Sequence, residues 1–123
     1  MMIFNQDMDV AGIEPYLPME DVGWRVLDGD PQQSVRIDHG TIDAGPLVGL
    51  WRCTPGTVEV PSTAHNEFMT ILSGGLIVAV DDESSTELVP GDSLYIPAGQ
   101  KVHFQVKETV TKYFIIACCG PVN

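Results

Sequence analysis

The sequence predicts an all-β protein, a single-domain barrel or sandwich preceded by an irregular N-terminal arm. Three observations lead there. From Trp24 to Cys118, short apolar runs are divided by Gly, Pro and Asp turn signals at close intervals. No segment repeats its apolar residues at helical spacing over about ten residues. The chain has 123 residues, enough for one hydrophobic core and too few for two. The expected division is 1–23 for the arm and 24–123 for the barrel.

Taken in order, the arm contains Gly12, Pro15 and Pro18, which break regular structure. Its Ile13, Tyr16, Leu17 and Met19 have the composition to cover a barrel edge or a neighbouring subunit. Trp24–Leu27 and Ser34–Ile37 read as strands, each followed by a turn, at Asp28–Pro31 and around Asp38–Gly40. Leu47–Thr54 ends at Pro55-Gly56, and Thr57–Val60 stops at Pro61. Glu67–Leu72 pairs through Ser73–Gly75 with Leu76–Val80. Glu87–Val89, Leu94–Ile96, Val102–Val106 and Lys112–Cys118 complete the set.

Alternate residues of a strand share a face. If Glu67 points inward, Met69 and Ile71 do too, and Val102, Phe104 and Val106 form one apolar face with His103 and Gln105 opposite. Leu94 and Ile96 likewise oppose Ser93 and Tyr95. The predicted interior is therefore apolar, with few polar groups.

Charge excludes some partners. Six Lys and Arg stand against 17 Asp and Glu, a net charge of −11, and the basic residues are scattered. Binding a phosphate backbone or an anionic membrane calls for a basic stripe, so neither is expected as a partner. No apolar run nears the ~18 residues of a membrane span. Met1–Asp7 lacks the basic start and apolar core of a secretion signal. A cytoplasmic location is expected. Three cysteines, Cys53, Cys118 and Cys119, make an odd set. Adjacent Cys118 and Cys119 would face opposite ways on a strand, so free thiols are expected.

The block Gly91-Asp-Ser-Leu-Tyr-Ile-Pro97-Ala-Gly99 is tightly punctuated: Gly91 and Gly99 suit bends with φ above zero, and Pro97 ends the strand. With Pro55-Gly56 and the run from Glu67 to Gly74, it resembles the paired motifs of the cupin superfamily. Through Trp51-Arg-Cys-Thr-Pro-Gly56, Glu67-Phe-Met-Thr-Ile-Leu72 and Glu108-Thr-Val-Thr-Lys112, the chain is most similar to the ureidoglycine aminohydrolase-like cupins, and it is also similar to the ethanolamine-utilisation cupins. The resemblance covers residues 24–118 and implies a double-stranded β-helix, the cupin jelly-roll barrel, pairing as a homodimer.

Metal-binding cupins supply a His-x-His pair and a carboxylate from the first motif and another histidine from the second. Such nitrogen and oxygen ligands suit Mn, Fe, Ni or Zn. The resemblance places Glu67 at the carboxylate position, but the paired-histidine positions fall on Val60–Thr63, and the second-motif position is Val102. His65, two residues before Glu67, would share its face in a regular strand, so His65 and Glu67 form a two-ligand fragment of a metal site. Catalytic zinc sites use three protein ligands, so no divalent metal is expected in the usual cupin geometry.

Two readings of function follow. In one, the chain is a small-molecule-binding cupin, an enzyme on a small polar metabolite with a degenerate metal site. Glu67 then acts as ligand or general base, His103 and Tyr95 assist, and Trp51, Met69, Val102 and Phe104 shape the ligand pocket. In the other, the barrel is non-catalytic and serves ligand binding or assembly without metal. Glu67 is central to both, because a carboxylate in an apolar barrel must be paired or hydrogen-bonded. Thr63, His65 or a backbone amide are the expected anchors.

Overall fold

In the computed structural model, which describes residues 1–41 and 43–117, eleven strands form two antiparallel sheets facing one another as a jelly roll. The first sheet runs β1 (Glu14–Pro15), β3 (Gln33–Thr41), β4 (Ala44–Cys53), β11 (Val110–Ala117), β6 (Asn66–Ser73) and β9 (Ser93–Ile96). The second runs β2 (Arg25–Gly29), β5 (Gly56–Val60), β10 (Val102–Val106), β7 (Leu76–Val80) and β8 (Thr86–Leu88). Helix among the described residues is limited to one 3₁₀ turn, Met19–Val22. The all-β jelly roll expected from the sequence is the fold.

Residue alternation builds the core. From the five-stranded sheet, Val58, Val60, Val78, Val102 and Phe104 point inward. From the six-stranded sheet, Trp51, Cys53, Met69, Ile71 and Phe114 meet them. The register fixes these rows: Val102 lies opposite both Val60 and Val80, and Phe104 opposite Val58 and Val78.

One expected turn is not there. The sequence suggested that the chain reverses around Asp38–Gly40, whereas β3 continues to Thr41. Its pairing with β4 slips between Ile37 and His39 and again between His39 and Thr41. Gly40 lies in this bulged stretch with φ of 83°, and an added Cβ would stand 2.1 Å from the Pro46 carbonyl oxygen. The glycine signal was real, but it marks a bulge inside a strand rather than a reversal. Gly91 and Gly99 have the positive φ expected of them, 96° and 85°. Cys118 and Cys119, and the expected end of the last strand, lie outside the described residues.

The N-terminal segment packs on its own barrel. Glu14 and Pro15 pair with Val35 and Ser34 at the edge of the six-stranded sheet, and Met19 is buried in the core. Upstream, the Phe4 ring packs 5.5 Å from that of Tyr113, and Arg36 donates to the carbonyls of Asp9 and Ala11 at 2.8 Å. Tyr113, Leu50 and Arg36 lie in one cross-strand row on the outer face. The segment crosses that row, which explains how outward-facing Leu50 is fully buried.

Candidate functional site

The inner face of the six-stranded sheet holds an ion pair. On β11, Lys112, Phe114 and Ile116 alternate inward; on β6, Glu67, Met69 and Ile71 do the same. In the ladder Lys112 lies opposite Ile71, while Glu67 lies opposite Ile116. The lysine stem must therefore run lengthwise past Met69, and its Nζ donates to Glu67 Oε2 at 2.7 Å. The aliphatic stem belongs in the core, and only the head requires a polar partner.

The ammonium is enclosed. Nζ lies 3.4 Å from Met69 Sδ, 4.7 Å from the centroid of the Trp51 ring and 5.6 Å from that of Phe104. A cation over aromatic faces is attracted by their quadrupoles, more so when water is excluded. The Lys112 side chain is 4% exposed, whereas that of Glu67 is 25% exposed. Among the described residues, Glu67 Oε1 has no hydrogen-bond partner.

Beside the ion pair lies a cavity of about 620 Å³. Glu67 and Lys112 contribute to its lining, with walls that include Trp24, Trp51, Leu47 and Phe114. Trp24 and Trp51 pack together, centroids 6.2 Å apart. Gln33 braces the wall: its Oε1 accepts from Trp51 Nε1 at 2.9 Å, and its Nε2 donates to the Leu17 carbonyl at 2.8 Å. Tyr16 and Ile37, each about half exposed, also line the cavity and open it to solvent. A largely apolar concavity with a few convergent polar groups is the usual form of a small-molecule site.

Of the residues singled out from sequence, the structure brings together Glu67, Trp51, Met69 and Phe104. Glu67 and Trp51 line the cavity, and Met69 and Phe104 pack beneath it around the Lys112 head. Val102 is fully buried in the core and is not part of the lining. Tyr95 points out from the six-stranded sheet and is 57% exposed. His103 faces outward from the five-stranded sheet, as its parity required. Its Nε2 lies 2.7 Å from Glu59 Oε2, and the other Glu59 oxygen is 3.1 Å from Arg25. The His103 hydrogen bond, and next the Arg25 charge, hold the Glu59 carboxyl below the usual range. His65 precedes β6 and is half-buried.

The anchor of Glu67 is thus corrected: it is Lys112, not Thr63, whose hydroxyl instead donates to the Pro97 carbonyl. Lys112 and Gln33 were both overlooked. One signal pointed to the lysine, a cation in inward phase with Phe114 and Ile116 on the same strand. Cys53, also buried, has its thiol pushed up to about 11, first by burial and against the opposing pull of Lys112. It is a core thiol rather than a nucleophile.

A two-sheet jelly roll with a ligand-sized cavity between its walls is the architecture of a cupin barrel. The model of the EutQ-like cupin domain family matches residues 44–114, more than half of the chain, and the protein belongs to that family. No curated protein matches the chain. Among solved structures, it is similar to a putative ethanolamine utilization protein Q from Salmonella typhimurium, at 16% identity over 72% of each chain with a TM-score of 0.62. A protein of unknown function from Pseudomonas syringae matches at 19% identity and TM-score 0.66, over 88% of this chain but 45% of its own. Another, from Acidithiobacillus ferrooxidans, matches at 20% identity and TM-score 0.61, over 93% and 98%. At such identities the likeness is one of fold.

The residues present do not fit the metal that cupin resemblance implies. Glu67 Oε2 is taken by an ammonium, and His103 is on the outer surface with Glu59. Among the described residues, no three His, Cys, Asp or Glu side chains converge. A Lys112 head in contact with Glu67 would also repel a divalent cation placed there.

Proposed function

We propose that this cupin binds a small organic molecule in the barrel cavity, with the Glu67–Lys112 pair in place of a metal centre. The observation that carries the reading is the position of that pair. Glu67 lines an open, largely apolar cavity, while its Oε2 is paired with a buried lysine. A lone carboxylate there would lose part of its hydration, and the internal cation offsets that cost while leaving a directional polar group for a ligand. Metal analysis of the untreated protein combined with thermal-shift measurements tests it. Metal should be substoichiometric, and Mn, Fe, Ni or Zn should give no stabilisation. Small organic ligands should raise the melting temperature of the wild type but not of Ile37→Trp, which fills the cavity from its half-exposed rim. Stoichiometric metal lost on Glu67→Gln would overturn the proposal.

We also infer that the barrel forms a homodimer through the outer face of its six-stranded sheet. Tyr95, Phe68 and Ile115 lie side by side on β9, β6 and β11, all exposed, beyond the part of this face that the N-terminal segment covers. A contiguous exposed apolar row supports an interaction surface.

A further inference from the structure

We infer that the cavity selects a ligand bearing an ammonium or similar cationic N–H group on a small apolar body, an inference that rests on the cavity being the binding site. The two halves of the ion pair differ in what a ligand can touch. Lys112 is 4% exposed, and its head is already surrounded by a carboxylate, a thioether and two aromatic faces. Glu67 is 25% exposed and, among the described residues, its Oε1 accepts no bond. Among the other polar side chains of the lining, Gln33 holds Trp51 through its carbonyl and Leu17 through its amide. At the ion pair, a ligand filling the cavity therefore meets an acceptor, Glu67.

Covering that oxygen with apolar atoms would desolvate a carboxylate without compensation, and an anion would meet it with like charge. A neutral hydroxyl can donate one bond, and a cationic N–H donor makes the stronger, charge-assisted one. Trp24 and Trp51 offer aromatic surface in the same cavity, which favours a cation over an anion. The net charge of −11 acts in the same direction by raising the local concentration of cations.

Three probes with one apolar body test this: isopentylamine, isopentyl alcohol and isovalerate, titrated at neutral pH and fixed ionic strength. Both tryptophans of the chain line the cavity, so intrinsic fluorescence reports occupancy directly. The amine should bind roughly tenfold tighter than the alcohol, with isovalerate weakest. The variant Glu67→Gln/Lys112→Met removes both charges and keeps the shape, so it should stay folded and lose the preference for the amine. Preferential binding of isovalerate, abolished by Lys112→Met, would overturn the cation assignment while leaving the cavity as the site. Equal binding of all three, or an amine preference that survives the double variant, would overturn it as well. No response to any probe, in fluorescence or melting temperature, would sink the inference together with the reading beneath it.

Discussion

Lys112 reaches Glu67 by running along the barrel rather than across it: its own ladder partner is Ile71, yet its Nζ lies 2.7 Å from the carboxylate of a residue opposite Ile116. The lysine stem is thereby core, and its head lies among Glu67, Met69, Trp51 and Phe104. The two charges are unequally buried, and this inequality gives the variants different costs.

Glu67→Gln leaves a buried ammonium facing a neutral amide and should cost about 3 kcal/mol. Lys112→Met keeps the packing of the stem and leaves a carboxylate that water can reach, so about 1 kcal/mol is expected. The double variant should recover most of both losses. Urea denaturation of the three proteins checks the order, and equal losses in the two single variants would refute the burial argument.

Cys53 should be chemically silent in the folded state. With its thiol pushed up to about 11 by burial, little thiolate exists at mildly alkaline pH, and the residue is 1% exposed. In a Cys118→Ser/Cys119→Ser background, a disulfide reagent at about pH 8 should label no thiol in the native protein and one after denaturation. Rapid native labelling would show that the site opens.

Glu59 should contribute to acid sensitivity. Its carboxyl is held below the ordinary range by His103 and Arg25, so the folded state binds its proton less readily than the unfolded chain. The stabilisation is present above the unfolded carboxylate range near about pH 4 and is lost as pH falls through the lower folded value. Glu59→Gln should flatten the decline in stability below about pH 5, measured by denaturation across pH. An unchanged slope would count against the cluster.

Two glycines should differ in tolerance. At Gly91 the positive φ of 96° is the sole obstacle, since nothing lies within 4 Å of an added Cβ, and Gly91→Ala should cost about 1 kcal/mol. Gly40→Ala adds a clash with the Pro46 carbonyl at 2.1 Å and should cost distinctly more. Melting temperatures decide the order.

For the inferred dimer, Tyr95→Lys places a charge in the exposed row while leaving the cavity untouched. Light scattering should then find a monomer where the wild type is a dimer, with the fold unchanged by circular dichroism. A wild-type monomer at tens of micromolar would refute the interface.

The sequence by itself determined most of the strands and which residues of each share a face, while the inward direction of Glu67 came with the family resemblance. Strands and faces follow from turn residues and from alternation with a period of two, both of which are local properties. It also showed that Glu67 needs a partner, since an apolar interior cannot hold an isolated carboxylate. Tertiary structure decided which residue that partner is. Lys112 lies 45 positions away in the chain and becomes a neighbour only because β11 inserts between β4 and β6. It decided too that His103 stays outside with Glu59, because no bulge re-aims β10, and that Gly40 bends a strand rather than ending one. Local pattern sets which way a side chain points; what it meets there depends on strand order, which is settled by packing over the whole chain.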